Sequence, residues 1–426
     1  MQKAVEFKKG KPDNSANSQD TSISALIGNG VGVVDKLVLG VPYAIYSPDD
    51  AKVIGIDAAY DATHKVVLSH HIDEFYRANA VGTKLYLMVV AQNITPTVIF
   101  TDPDNLYARK LVAFAKGEVR QIALAYNPLV TEQNPEIITD GISSEIRAVI
   151  AKAQEFALWA FETERPLQVL LEGRAFSGNA LAVVNLRELV TGADITLEAD
   201  KVSVVIAQDW DYADSLAFAS GKKYASVGLA LGVLSSIKVN QNIGEVETLN
   251  LTNAIAGKYV TAGLSSHQTV EEAESALSTL ETKGFIFPVS YTGISGYRFN
   301  NDHVCTPEIV DPVSGLINES TISYGRTMDE AVRRLRKKLL PEIKKVQPAD
   351  RTTGKLPIGV VKSFNAKGNE VFEDMAAEGL ISGGATYTNP DSDLLTGQRV
   401  LEITFDLQPT GTINSIKGNI NLKKLL

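Results

Sequence analysis

The chain has 426 residues, 44% of them hydrophobic and 21% charged, with a formal net charge of −9. Those proportions suit a globular protein with a sizeable core, and the length suits two or three domains of roughly 100–200 residues each. The acidic balance argues against a general nucleic-acid binder, and a single cysteine, Cys305, excludes an internal disulfide or a cysteine-rich metal site. No run approaches the ~20 apolar residues of a membrane helix. The opening "MQKAVEFKKGKPDNSANSQD" has no apolar signal-peptide core. A protein made in the cytosol, with no direct membrane insertion, is expected.

Val5 and Phe7 mark a short strand at the front. Residues 8–20 carry no large apolar side chain and read as a flexible linker. "IGNGVGVV" (27–34) places Gly28, Gly30 and Gly32 after an apolar run. A dinucleotide fingerprint needs glycine at the sixth place, where Val33 stands, so a Gly-rich turn is the better reading. Ser47 before Pro48 is a helix N-cap. "HHIDEFYRANA" reads as a helix and "TKLYLMVVA" as a buried strand. The middle then alternates: strand 119–127, amphipathic helix 140–162, strand 166–173, helix 178–190, strand 201–209 and apolar helix 224–236. This rhythm implies a three-layer α/β domain with a mostly parallel sheet.

After about residue 266 the pattern changes to α+β. Thr269 caps a helix over 269–284 that ends at Gly284. Short strands follow, then a helix over 326–346, a shorter helix in "NEVFEDMAAEGLISGG", and closing strands. In "LEITFDLQPTGTINSIKGNINLKKLL" (401–426), Leu401, Ile403, Phe405 and Leu407 alternate with polar residues. Ile413, Ile416, Ile420 and Leu422 follow, with nothing after them to cover a strand edge.

Candidate chemistry is sparse. Asp209, Asp211 and Asp214 lie just past a strand end, where ligands bind in open α/β sheets, and three carboxylates can hold Mg²⁺ or Ca²⁺. Asp211 or Asp214 serves equally well as a helix cap. Asn127 and Arg174 sit at similar strand ends without forming a constellation. His303 and Cys305 are close in sequence, yet a nucleophilic pair or a zinc site needs further partners. None of the five histidines (His64, His70, His71, His267, His303) stands in a metalloenzyme motif. No catalytic residue, metal or cofactor is assigned.

The helix 326–346 carries the clearest signal. Val332, Leu335, Leu339, Ile343 and Val346 form an apolar stripe. Arg333, Arg334, Lys337, Lys338, Lys344 and Lys345 occupy the opposite face, with Arg336 on the flank and Pro341 a kink site. A solvated face and a docking surface for something acidic are equally good readings.

The order of segments resembles the contractile tail sheath proteins of phages and contractile injection systems. The front "TSISALIGNGVGVVDKLVLGVPYAIYSPDDAKVIGI" and "HHIDEFYRANAVGTKLYLMVV" carry it. So do "LSTLETKGFIFPVSYTGISGYRFNNDHVCT", "YGRTMDEAVRRLRKKLLPEIKK", "FEDMAAEGLISGG" and the C-terminal stretch. The resemblance covers nearly the whole chain and rests on segment order. The chain lacks the tryptophan- and Asn-rich landmarks that many phage sheaths have near the basic helix, which marks a divergent branch.

The resemblance implies a structural subunit, not an enzyme, that stacks as six-fold rings around an inner tube and contracts to drive the tube through a target envelope. It implies an N-terminal linking arm (1–24), an α/β outer domain (25–265), an α+β inner domain (266–405) and a C-terminal linking arm (406–426). Val5, Phe7, Ile413, Ile416, Ile420 and Leu422 would add strands to neighbouring subunits, and Lys423 and Lys424 would limit wrong pairing. The implied partners are other copies of the chain, an inner tail tube protein reached by the basic helix, and baseplate and terminator or cap proteins. The implied place is a virion tail or contractile injection particle. The rival reading is an α/β metal-dependent enzyme using Asp209, Asp211 and Asp214.

Overall fold

The computed structural model describes residues 22–80, 82–130, 135–191, 195–350, 355–396 and 399–420. Val5, Phe7, Leu422, Lys423 and Lys424 lie outside them.

Six strands form the central sheet: β1 (Ser24–Gly30), β2 (Pro42–Ile45), β3 (Leu85–Ala91), β4 (Gln121–Ala125), β5 (Gln168–Glu172) and β6 (Val202–Val205). Their order is β6-β5-β4-β1-β3-β2. Every pairing is parallel except that of β2, which runs antiparallel to β3 at one edge. Period-2 side chains supply two cores. Ile27, Met88 and Val90 face one layer with Phe100 and Phe156. Leu26, Leu87 and Val89 face the other with Phe75 and Leu231. A sheet covered on both faces explains the near-continuous apolar strands.

The main helices are α1 (Leu68–Ala78), α2 (Ser144–Glu162), α3 (Val227–Ser236), α4 (Glu274–Thr282), α5 (Ile322–Leu339) and α6 (Ile358–Ala377). Val67 precedes α1 and cannot cap it. The Asp61 carboxylate does so instead, accepting from the backbone N–H groups of Leu68, Ser69 and His70. Against α1 lies α3. A Cβ on Gly228 would meet the carbonyl oxygen of His71 at 2.3 Å, and one on Gly232 that of Phe75 at 2.6 Å. These two glycines let the helix backbones touch. The expected Ser47 cap is present, accepting from Asp50 N–H.

Several sequence expectations change. Gly28 and Gly30 lie within buried β1 rather than in a turn, and Gly30 makes room for the hydroxyl of Tyr60. Residues 178–190 form no α-helix. Ala180, Val183, Leu186 and Leu189 are buried at spacings of three, but turns and one 3-10 turn at Leu186–Glu188 achieve this. The strand over 201–209 breaks at Ile206, and Ala207–Asp209 turns away to pair with Ala262–Leu264. Thr269 does cap Glu272 N–H, yet the helix proper begins at Glu274. α5 starts at Ile322 and ends at Leu339, because Pro341 lacks the N–H that would continue it and the chain passes into a 3-10 turn. Ile343 and Val346 are consequently exposed, at 64% and 95%, and leave the apolar stripe. α6 begins at Ile358, well before the expected short helix.

Packing also runs across the expected boundary at 265/266. Ile286 bridges to Val205 at the end of β6, and Cys305 N–H bonds to the Val202 carbonyl. Phe285, Phe287, Phe299 and Ile322 enter the two sheet cores. A separate, smaller core appears later, where Ala331, Leu335, Phe372, Met375 and Ile381 meet. There β7 (Ile381–Thr388) pairs antiparallel with β8 (Ile403–Pro409) over α6. Residues 406–409, expected to belong to an outgoing arm, thus pair within the chain.

Candidate functional site

Open α/β sheets usually bind ligands at the carboxyl ends of their strands. Here that edge is filled by the chain's own groups. Glu172 accepts from Tyr126 N–H at 2.6 Å and Ala225 N–H at 3.0 Å. Arg174 donates to Glu136 and to the carbonyls of Tyr126 and Ser220. Asn127 joins Val67 to Asn29. The three carboxylates of the rival reading serve separate tasks. Asp209 accepts from the N–H groups of Tyr212 and Tyr259, Asp211 from Thr261, and Asp214 meets Lys222 at 3.0 Å and His267 at 3.3 Å.

Among the described residues one different trio brings metal-type donor atoms within 4.8 Å of one another: His70, Glu74 and Asp209, all buried. The spacing of His70 and Glu74 along α1 was the available signal for it. Arg77 already grips both oxygens of Glu74, at 3.0 and 2.6 Å, and supplies the charge a cation would bring. His303 and Cys305 are likewise structural. His303 lies between Arg187, at 2.6 Å, and Glu281, at 2.9 Å. Burial pushes the Cys305 thiol up to about 12, far from a thiolate nucleophile.

The basic helix is where the structure redistributes the sequence signal most. α5 crosses the amino-terminal ends of β4, β5 and β6. Arg333 donates to the carbonyls of Gly117 (2.8 Å), Val119 (3.1 Å) and Pro166, in the loops that enter β4 and β5. It therefore anchors α5 instead of facing outward. Arg334 pairs with Glu330 and Glu378, Arg336 with Glu164, Lys338 with Glu370 and Lys345 with Glu342. Lys337 and Lys344 are exposed and make no ion pair among the described residues.

Together with the body, α5 borders a cleft of about 970 Å³ lined, among the described residues, by nine Lys or Arg side chains and five Asp or Glu. Lys84, Lys116, Arg120 and Arg165 come from loops flanking the sheet. These contributors are dispersed in sequence, so no local charge run announced them. The excess of positive charge gives the cleft a positive field.

The second surface is the small β7–β8 sheet. Ile403, Phe405 and Leu407 turn toward α6, and Phe405 meets Phe372 edge-on at 6.4 Å. Pairing only with each other, both strands leave an outer edge unpaired among the described residues. After Pro409 the chain continues as irregular, exposed backbone, with Ile413, Ile416 and Ile420 at 79%, 88% and 97% exposure.

No helix among the described residues is long and apolar enough to cross a membrane. No curated protein matches the sequence. Among solved structures, the anti-feeding prophage (AFP) helical sheath in the contracted state matches with a TM-score of 0.56 at 12% identity, over 98% of both chains. A chain of the AFP baseplate matches with a TM-score of 0.57 at 11% identity, over 100% of this chain and 99% of that one. The sheath complex of an extracellular contractile injection system, PVC, in the contracted state matches with a TM-score of 0.50 at 9% identity, over 98% of both. At such identities the likeness is one of fold. The model of the family described as DUF2586, N-terminal domain, matches residues 5–303. With that match spanning most of its length, the chain belongs to the DUF2586 family, and its fold is that of contractile sheath subunits.

Proposed function

We propose that the protein is a structural subunit of a contractile sheath, which polymerises as stacked rings around an inner tube and contracts to drive that tube through a target envelope. The observation that carries this reading is the end-to-end fold correspondence, over 98% of both chains, with a sheath in its contracted state. Two surfaces support it. The β7–β8 sheet offers unpaired edges, and the chain beyond Pro409 offers exposed apolar residues to add to a neighbour's sheet. Each added backbone hydrogen bond contributes only about 1 kcal/mol net, so several per strand, repeated around a ring, hold subunits together while their bodies turn. Val5 and Phe7 at the front, and Ile413, Ile416, Ile420 and Leu422 at the back, are the proposed linking residues. The arm begins at Thr410.

The proposed body is the α/β layer system and the proposed inner unit is the small core around α6, β7 and β8. The positive cleft beside α5, which Lys337 lines, together with the exposed Lys344 beyond that helix, is the proposed contact for an acidic tube exterior. Baseplate and terminator or cap proteins would bind at the ends of the assembly. Cytoplasmic synthesis followed by incorporation into a tail or injection particle completes the reading. The metal-enzyme alternative loses its support because Asp209, Asp211 and Asp214 point to different partners.

Negative-stain microscopy of the concentrated protein tests this. Rings, tubes or sheath-like polymers are expected, and a chain lacking residues 410–426 should stay folded yet form none. A full-length chain that stays monomeric at high concentration overturns the proposal.

A further inference from the structure

A second cleft, of about 920 Å³, lies between the body and the chain that leaves β8. Its floor is apolar, with Val246, Val270, Leu277, Phe287 and Val289. Its acidic side chains are Glu245, Glu271, Glu274 and Glu281, and among the described residues no Lys or Arg lines it. Burial works against the charge of Glu281, but His303, Asn300 and Asn301 donate to it and hold its carboxyl down at about 2. One wall of the cleft is the chain's own Gly411–Asn414. The root of that segment is tied at the rim, where Asn240 donates to the Thr410 hydroxyl at 3.0 Å and to the Gly379 carbonyl at 2.9 Å.

We propose that this cleft is a seat for the chain's own C-terminal segment, residues 415–426. A concave, acidic surface with an apolar floor fits an extended peptide that carries both apolar and cationic side chains. "SIKGNINLKKLL" supplies Ile416, Ile420 and Leu422 with Lys417, Lys423 and Lys424, and contains no Asp or Glu. Twelve residues span up to ~40 Å when extended, enough to cross the cleft from its rim. The exposed Ile416 and Ile420 are the apolar area that seating would cover. The positive cleft beside α5 repels the same segment. A separate copy's tail would give up the freedom of an independent molecule to reach this seat, whereas the tethered one is already at millimolar effective concentration. A seated tail is withheld from other subunits until they compete for it. This last consequence rests on the sheath reading; the seating does not.

The test uses the full chain with Ser278→Cys in the cleft and Leu422→Cys in the tail, native Cys305 being fully buried. Mild oxidation at low protein concentration should give an intramolecular disulfide, identified by peptide mass spectrometry. Its rate should fall about fivefold when Glu271→Gln and Glu274→Gln are added. It should fall similarly in 1 M NaCl, where the Debye length is only ~3 Å. A rate indifferent to both changes describes a merely tethered tail and overturns the proposal, as do disulfides formed only between chains. If the sheath reading holds, Glu271→Gln with Glu274→Gln also speeds polymerisation, and an unchanged rate removes the withholding role. A charge-dependent intramolecular disulfide in a chain that never polymerises upholds the seat and removes the sheath reading alone.

Discussion

The ammonium of Lys201 lies 2.7 Å from the carboxylate of Asp329, and both side chains are buried. Lys201 enters β6 and Asp329 sits midway along α5, so the pair joins the sheet to the helix that crosses its amino-terminal end. Glu319 also contacts the ammonium, and Gly325 accepts from it at 3.3 Å. Burial opposes the lysine's charge, but the two carboxylates outweigh it and raise its pKa. Removing one member leaves uncompensated buried charge. Lys201→Met should therefore cost about 3–5 kcal/mol, and Lys201→Met with Asp329→Leu should recover much of that loss. Urea unfolding of the three proteins checks this. Equal losses in the single and double variants would show that the ion pair is not the tie.

The basic residues of α5 and of the chain just beyond it should separate into two classes. Arg333, held by three backbone carbonyls, should cost about 3 kcal/mol as Arg333→Ala, because those buried acceptors lose their donor. Lys337→Glu with Lys344→Glu should leave the melting temperature within ~1 °C, since surface changes away from packed features are nearly neutral. The same double change should weaken binding to an acidic tube surface, read by co-sedimentation at low salt. A melting shift as large as that of Arg333→Ala would contradict the division.

The α1–α3 contact gives a packing prediction. Gly228→Ala places a methyl group 2.3 Å from the His71 carbonyl oxygen and 2.7 Å from its Cα. Neither backbone atom can swing aside, so the helices must separate, at about 2 kcal/mol. Gly359→Ala is the control, because a Cβ there meets nothing within 4 Å. In an exposed helical position it should be neutral or slightly stabilising. Thermal melts of both variants decide it.

Glu281 should make acid stability pH-dependent in one direction. Its folded pKa of about 2 is below its usual 4.5. The stability it contributes is complete above 4.5 and is lost as pH falls through 2. With 37% of its side chain exposed, screening reduces the full contribution to about 1 kcal/mol. Urea midpoints measured between pH 5 and 2 should fall less steeply in Glu281→Gln than in the parent. Parallel slopes would show that Glu281 stays protonatable in the fold as it is in the unfolded chain.

The legible parts of the fold were those governed by local periodicity. Leu85–Ala91, Gln168–Glu172 and Ser144–Glu162 were readable because apolar runs and 3.6-residue spacing reflect burial on two faces or one. Residues 178–190 misled for the same reason, since turns can bury every third side chain as a helix does. The end of α5 at Leu339 turned on a single proline whose effect, kink or stop, depends on whether packing continues beyond it. The positive cleft was half visible. The α5 charges form a run, whereas Lys84, Lys116, Arg120 and Arg165 are brought beside it only by folding.

The sequence by itself determined the alternation of strands and helices, the covered parallel sheet, the concentration of positive charge on one helix and an apolar, cationic tail. These follow from side-chain type and spacing along one segment. Tertiary structure alone decided that Arg333 and Arg334 are spent on internal partners while Lys337 and Lys344 remain exposed. It also decided that Asp209, Asp211 and Asp214 part company, that β8 finds its partner in β7, and that the tail emerges beside four carboxylates. Each of those outcomes depends on which distant backbone carbonyl, amide or charge arrives next to a side chain, and that is set by the packing of layers rather than by neighbours in sequence.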